Sequence, residues 1–302
     1  MKHSGKHILK NVSRSFYLSM RLLPRAMREP VSLAYLLARA SDTLADTEGL
    51  DAGLRFEMLQ RFGEILEGGE KAAWINKLTK EVIPFQKHEG EKLLLEMMGD
   101  TFEWLDALTC EHGRSAILTV MKHILHGQSL DIQRFELQQW HVLRDDADLE
   151  EYCFLVAGCV GEFWTEIGDL ALNEFSSIDL VDLKQMGVSY GKGLQLINIL
   201  RDLPADLRLG RCYIPGVDPS DRGAVMREAT RWRSKARAYL SEGQAYASSL
   251  RSRRTKAATA LPGLIGASTL DLLDQASWEE LDNGIKVPRR DVYRFMWESF
   301  FV

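Results

Sequence analysis

This chain has no basic excess. Its 38 lysines and arginines face 43 aspartates and glutamates, a formal net charge of -5, so it carries no nucleic-acid footprint and any basic function must be local. Long hydrophobic runs are missing too. No stretch approaches the ~20 apolar residues needed to span a bilayer, and the N-terminus MKHSGKHILKNVSRSF has no apolar core of signal-peptide length. A soluble or membrane-peripheral protein of the cytoplasm is expected. Cysteines are few: Cys110, Cys153, Cys159 and Cys212 make no CxxC pair and no disulfide scaffold, which points to reduced thiols and away from zinc. Eight prolines and 23 glycines never gather into a linker, and there is no low-complexity tract or charge block. Length alone suggests about two domains, but the absence of a linker favours one large domain over 1–302.

Apolar residues make up 45% of the chain with the aromatics included, and they recur mostly at three- and four-residue spacing. Strand-like alternation is scarce, so the fold class is all-α. The pattern predicts helices near 30–47, 51–67, 89–108, 113–127, 147–171, 178–203, 221–251, 257–282 and 288–300. Pro24, Pro30, Pro84, Pro215 and Pro288 fall at plausible breaks, and Gly68-Gly69 closes the second helix. In Leu155-Val-Ala-Gly-Cys-Val-Gly161 the small residues leave unfilled space, and two interior glycines cost about 1 kcal/mol each relative to alanine. Close helix packing would compensate, and so would room for a long apolar ligand. The tail Phe295–Val302 is aromatic enough to dock on a membrane, with burial against the body as the first expectation.

Two Asp-x-x-x-Asp segments stand out, Asp42-Thr-Leu-Ala-Asp46 and Asp202-Leu-Pro-Ala-Asp206. Residues four apart share a helix face, so each segment can aim two carboxylates at a common point. Both follow apolar runs rather than polar stripes, and carboxylates placed there need metal ions or arginines as partners. Arg39 and Arg201 are the nearest arginines, and Asn198 and Gln195 precede Asp202 by one and two turns. Such a pair of motifs points to a Mg2+-diphosphate site, because Mg2+ takes a few carboxylates together with waters and substrate phosphates. Pro204 lies inside the second motif and predicts a kink or helix end near Leu203. Other constellations are weak. His123 and His126 lack a carboxylate ligand motif, Gly191-Lys-Gly193 is not a dinucleotide fingerprint, and the basic run Arg227–Arg237 reads as a solvated helix face.

These residues resemble the squalene/phytoene synthase family. The likeness runs in order through Ser13-Arg-Ser-Phe16, Tyr35, Arg39, the first acidic motif, Tyr152-Cys-Phe-Leu-Val-Ala-Gly-Cys-Val-Gly161, Gln195-Leu-Ile-Asn-Ile-Leu-Arg-Asp202 and Gly210-Arg-Cys-Tyr-Ile-Pro215. The resemblance implies an all-α isoprenoid synthase fold around a central cavity and a head-to-head condensation of two prenyl diphosphates through a cyclopropyl diphosphate. It implies Mg2+ on Asp42, Asp46, Asp202 and Asp206, and diphosphate contacts from Ser15, Phe16, Arg39, Gln195, Asn198, Arg201 and Arg211. Tyr35, Tyr152 and Arg39 would act at the reacting centre. The opening Asp-Thr of the first motif looks closer to squalene synthases, which implies farnesyl diphosphate and NADPH. Phytoene and dehydrosqualene synthesis are the alternatives within the family. A non-catalytic prenyl-lipid-binding protein and a helical scaffold are the alternatives outside it.

Overall fold

The computed structural model describes residues 23–302, so Ser15 and Phe16 lie outside the described residues. Regular structure is helical throughout, and among the described residues the β pairing is limited to one antiparallel bridge between Ser176 and Leu250. Residue contacts gather into two compact units, one ending at Leu137 and the other spanning Gln138–Val302. Among the described residues no helix is long and apolar enough to cross a membrane.

The first unit contains α1 (Arg25–Ala45), α2 (Ala52–Leu66), α3 (Lys71–Lys77), α4 (Glu89–Glu96), α5 (Met98–Asp106) and α6 (Glu111–Asp131). A π turn, Leu78–Val82, extends α3, which the periodicity did not predict. Asp51 starts α2 by accepting a bond from the Leu54 amide at 3.0 Å, and the positive φ of Gly68 (105°) follows its end. The helix expected over 89–108 is broken at Met97 into α4 and α5. Phe62, Trp74 and Phe102 pack ring against ring, with centroids 5.2 to 5.6 Å apart. Pro30 does not break a helix. It lies inside α1, where it forfeits one backbone donor while Met27, Val31, Leu33, Leu36 and Leu37 bury around it, and packing outweighs that loss.

The second unit contains α7 (Asp146–Cys153), α8 (Cys159–Ala171), α9 (Leu180–Arg208), α10 (Arg222–Ser249), α11 (Arg253–Gln275), α12 (Trp278–Asp282) and α13 (Arg289–Glu298). A π turn over Phe154–Gly158 joins α7 to α8 inside the span expected as one helix. The expected helix 257–282 parts before α12, where Ser277 and Glu280 form a capping box. The expected helix end near Leu203 is not found: α9 continues through Pro204 to Arg208. Leu200, Leu203 and Pro204 are all buried, so the packed face carries the helix across the lost proline donor.

The small residues of 155–161 serve close packing. A Cβ built on Gly161 would lie 1.9 Å from the Gly187 carbonyl oxygen, and one on Gly191 would lie 2.2 Å from that of Ala157. The stretch from the π turn into α8 thus meets α9 at backbone contact, which only glycine permits. Gly161→Ala is therefore expected to destabilise by about 1 to 3 kcal/mol despite the better helix propensity of alanine. Urea unfolding should show a lower midpoint at unchanged slope.

The C-terminal tail is only half absorbed by the body. Phe295 and Ser299 are buried where α13 and the 3-10 turn Ser299–Phe301 pack on α11, but Tyr293, Met296, Trp297, Phe300 and Phe301 stay exposed.

Candidate functional site

On α1, Tyr35, Arg39, Asp42 and Asp46 follow one another at steps of four, three and four residues, which lines them along one helix face. The apolar residues around Asp42 build this: Leu33, Leu36, Leu37, Ala40 and Leu44 are buried, so Tyr35, Arg39 and Asp42 are held at the edge of the core. Asp46 is the C-cap, and its amide donates to the Asp42 carbonyl at 3.0 Å, so the two residues keep helical register. Arg39 donates to Asp42 Oδ2 at 2.6 Å and to Glu91 Oε1, on α4, at 2.7 Å. Burial raises the Asp42 pKa above its ordinary value, Arg39 opposes the shift, and Glu91 adds to it.

Arg55 holds the end of that helix. It is buried on α2, where its Nη1 donates to the Ala45 carbonyl at 2.6 Å and its Nε donates to the Leu50 carbonyl at 3.2 Å. It also forms an ion pair with Glu136. The last carbonyls of a helix lack partners within it, so Arg55 caps α1 one residue before Asp46. Neither Arg55 nor Glu91 was legible in sequence, because each reaches α1 from another helix with no local motif.

On α9, Gln195, Asn198, Asp202 and Asp206 step by three, four and four residues along one face. Both aspartates lie within the helix, so the i, i+4 register survives Pro204. Arg201 binds Asp202 with both arms, Nε to Oδ1 at 2.8 Å and Nη2 to Oδ2 at 2.5 Å. That bond raises the Arg201 pKa. The exposed Asn198 donates to Gln195 Oε1 at 3.4 Å. Each acidic motif thus has an arginine on its first aspartate, and the two pairs are similarly exposed: Arg39 and Arg201 both at 37%, Asp42 at 46% and Asp202 at 47%.

The end of α9 places Arg211. The Gly210 amide (φ 77°) donates to the Leu207 carbonyl at 3.1 Å, and the Arg211 amide donates to the Asp206 carbonyl at 2.9 Å, which is a Schellman closure. Gly210 supplies the left-handed turn that folds the Arg211 amide back onto the Asp206 carbonyl. Two residues on, buried Tyr213 stacks on half-buried Tyr152 of α7, with centroids 5.0 Å apart and planes 19° apart. The Tyr152 segment and the Gly210–Pro215 segment, remote in sequence, are thereby brought together.

A second group near Tyr152 went unseen in sequence. Glu150 accepts from Lys192 Nζ at 2.8 Å and from the Tyr239 hydroxyl at 2.9 Å, and it pairs with Lys235 at 3.0 Å, tying α7 to α9 and α10. Burial pushes the Glu150 pKa up, but these donors outweigh it and the net shift is downward. A depressed folded pKa contributes stability above the unfolded value near 4.5 that is lost as pH falls through the folded pKa. Thermal melts of wild type should fall across that acid window, and Glu150→Gln should flatten the dependence. The four cysteines are free thiols. Burial pushes Cys159 up to about 12 and Cys212 up to about 11, so neither is a thiolate nucleophile.

Among the described residues no three Asp, Glu, His or Cys side chains converge into a metal cage. What each helix offers is two hard carboxylates on one face. That donor set fits Mg2+, which usually binds one or two carboxylates and completes its shell with waters and substrate phosphate oxygens.

The family model for squalene/phytoene synthase matches residues 9–291, a span that contains every one of these segments. The chain belongs to the squalene/phytoene synthase family. Among curated proteins it is similar to a bifunctional lycopene cyclase/phytoene synthase of Blakeslea trispora, at 27% identity over 69% of this chain and 31% of that protein. It is also similar to a presqualene diphosphate synthase of Zymomonas mobilis subsp. mobilis, at 27% identity over 70% of this chain and 60% of that protein. The match therefore spans less than two thirds of either relative. A solved ligand complex of TcSQS superposes with a TM-score of 0.77 at 22% identity, covering 98% of this chain and 85% of that one. The fold is the squalene synthase type of isoprenoid synthase fold.

Proposed function

We propose that this protein condenses two prenyl diphosphates head to head through a cyclopropyl diphosphate, with farnesyl diphosphate as substrate and squalene as product. The observation that carries the reading is the repeated device on α1 and α9: two carboxylates in i, i+4 register, the first of them held by an arginine. Family membership supplies the reaction class.

In this reading Asp42, Asp46, Asp202 and Asp206 hold Mg2+. Bound there, the ions would supply charge neutralisation for a departing diphosphate. Arg39, Arg201 and Arg211 take diphosphate oxygens, because a planar guanidinium fork matches them and stays charged. Gln195 and Asn198 add neutral donors on the same face of α9, and Ser15 and Phe16 complete the diphosphate contacts. Loss of diphosphate from one substrate leaves an allylic cation, and the double bond of the second substrate attacks it. A proton then leaves as the cyclopropane closes, and ionisation of the cyclopropyl diphosphate releases the second diphosphate and starts the rearrangement. Squalene forms when the rearranged cation takes up a hydride, for which NADPH would be the donor. Tyr35 and Tyr152 are assigned to the reacting centre, where a phenol ring stabilises a cation and its hydroxyl relays a proton. The stack on Tyr213 fixes the ring plane of Tyr152, which suits that role.

The test is product analysis of purified protein with Mg2+ and either farnesyl or geranylgeranyl diphosphate, with and without NADPH. A C30 hydrocarbon that requires NADPH establishes squalene synthesis. A C30 or C40 triene formed without it moves the assignment to dehydrosqualene or phytoene. No coupled product from either substrate overturns the catalytic reading in favour of a prenyl-lipid-binding protein.

A further inference from the structure

Helix α13 has two apolar faces, and the fold uses one of them. Val292, Phe295, Ser299 and Val302 face inward, with Phe295 and Ser299 buried where the segment packs on α11. Tyr293, Met296, Trp297 and Phe300 recur at steps of three, one and three on the other side. Tyr293 is 69% exposed, Trp297 70% and Phe301 72%, and the rings of Trp297 and Phe301 touch with centroids 5.3 Å apart. A continuous aromatic patch of this kind on water is costly unless something covers it.

The charges around it name the covering. Lys286, Arg289, Arg290 and Arg294 lie on or just before this helix, against two acidic residues, Asp291 and Glu298. Arg294 is engaged with both acids at 3.5 Å, and Arg290 lies 3.8 Å from Asp291. Arg289 and Arg290 precede Tyr293 by four and three residues, which puts them at the N-terminal end of the exposed aromatic face, and both are exposed. Tryptophan and tyrosine favour the lipid headgroup region, and arginines beside them favour anionic lipid. We infer that the outer face of α13, with the aromatic turn after it, is a docking surface for an anionic bilayer, lying in the interface and not crossing it. The inference stands on geometry and charge alone. If the proposed reaction also holds, the surface brings the protein to the phase that dissolves prenyl chains.

The experiment is co-sedimentation of the full chain with phosphatidylcholine vesicles that contain or lack phosphatidylglycerol, at low and high salt. The expected result is binding to the anionic vesicles that weakens with salt. Arg289→Gln/Arg290→Gln should lower the partition coefficient by about five-fold per arginine, and Trp297→Ser/Phe301→Ser should abolish binding with the melting temperature retained. Absence of binding to either vesicle overturns the inference, and so does binding that both variants leave unchanged. Concentration-dependent self-association by light scattering that Trp297→Ser/Phe301→Ser removes, without vesicle binding, would assign the face to a second copy of the chain and overturn it too. Because no step of this assay uses turnover, its outcome is independent of the proposed reaction.

Discussion

Asp42→Asn is expected to lower turnover by roughly 10²–10³-fold or more while leaving the metal-free protein at least as stable as wild type. The two effects separate because of how the carboxylate is held. Burial raises its pKa and Glu91 adds to that, so the pair with Arg39 does not fully compensate the charge. Above the raised pKa the ionised group subtracts from stability, and the penalty fades as pH falls through that pKa. Asparagine resembles the protonated form, so the variant should show a higher or equal melting temperature near neutral pH and a weaker pH dependence in chelator. Added Mg2+ and inorganic diphosphate should then raise the melting temperature of wild type but not of the variant. Asp202→Asn should lose turnover to the same degree. Since α9 runs through Pro204 and keeps the i, i+4 register, Asp206→Asn should match Asp202→Asn and not be milder. Wild-type rates in the Asp42 or Asp202 variant would end the metal-site assignment.

Arg55→Ala is expected to destabilise the first unit by about 3 to 5 kcal/mol. Arg55 is 7% exposed and serves the carbonyls of Ala45 and Leu50 together with the carboxylate of Glu136. Truncation strips a partly buried ion pair of its buried partner and removes the donor that caps α1. Chemical denaturation measures the loss directly. The double variant Arg55→Met/Glu136→Gln discriminates the cause, because removing both charges should recover part of it. A loss under about 1 kcal/mol for Arg55→Ala would mean that water replaces these bonds and that Arg55 does not hold the end of α1.

Much of the candidate site could be read in one dimension because its parts are local. Asp42 and Asp46, or Asp202 and Asp206, need only helical spacing to share a face, and Arg39 and Arg201 lie within a turn of the aspartates they bind. Glycine likewise announced itself at Gly68, where positive φ follows the end of α2, whereas the helix end before Gly210 was expected earlier, near Leu203. Prolines misled where burial overruled the missing donor, at Pro30 in α1 and Pro204 in α9. A break costs every packed contact beyond it, whereas an interior proline costs one hydrogen bond and some crowding. The partners that arrive from other helices had no local signal: Glu91 on Arg39, Arg55 on Ala45, Tyr213 on Tyr152, and Lys192, Lys235 and Tyr239 around Glu150.

The sequence by itself determined the helical class, the two acidic faces with their arginines, and the order of motifs that marks the family, since each depends on spacing within one helix or along the chain. Only the tertiary structure decided that the glycines of 155–161 close a helix contact and do not open a cavity at that point, because that depends on how near another backbone comes. It also decided which face of α13 stays outside, because a helix with two apolar faces has no internal reason to bury either, and α11 takes one.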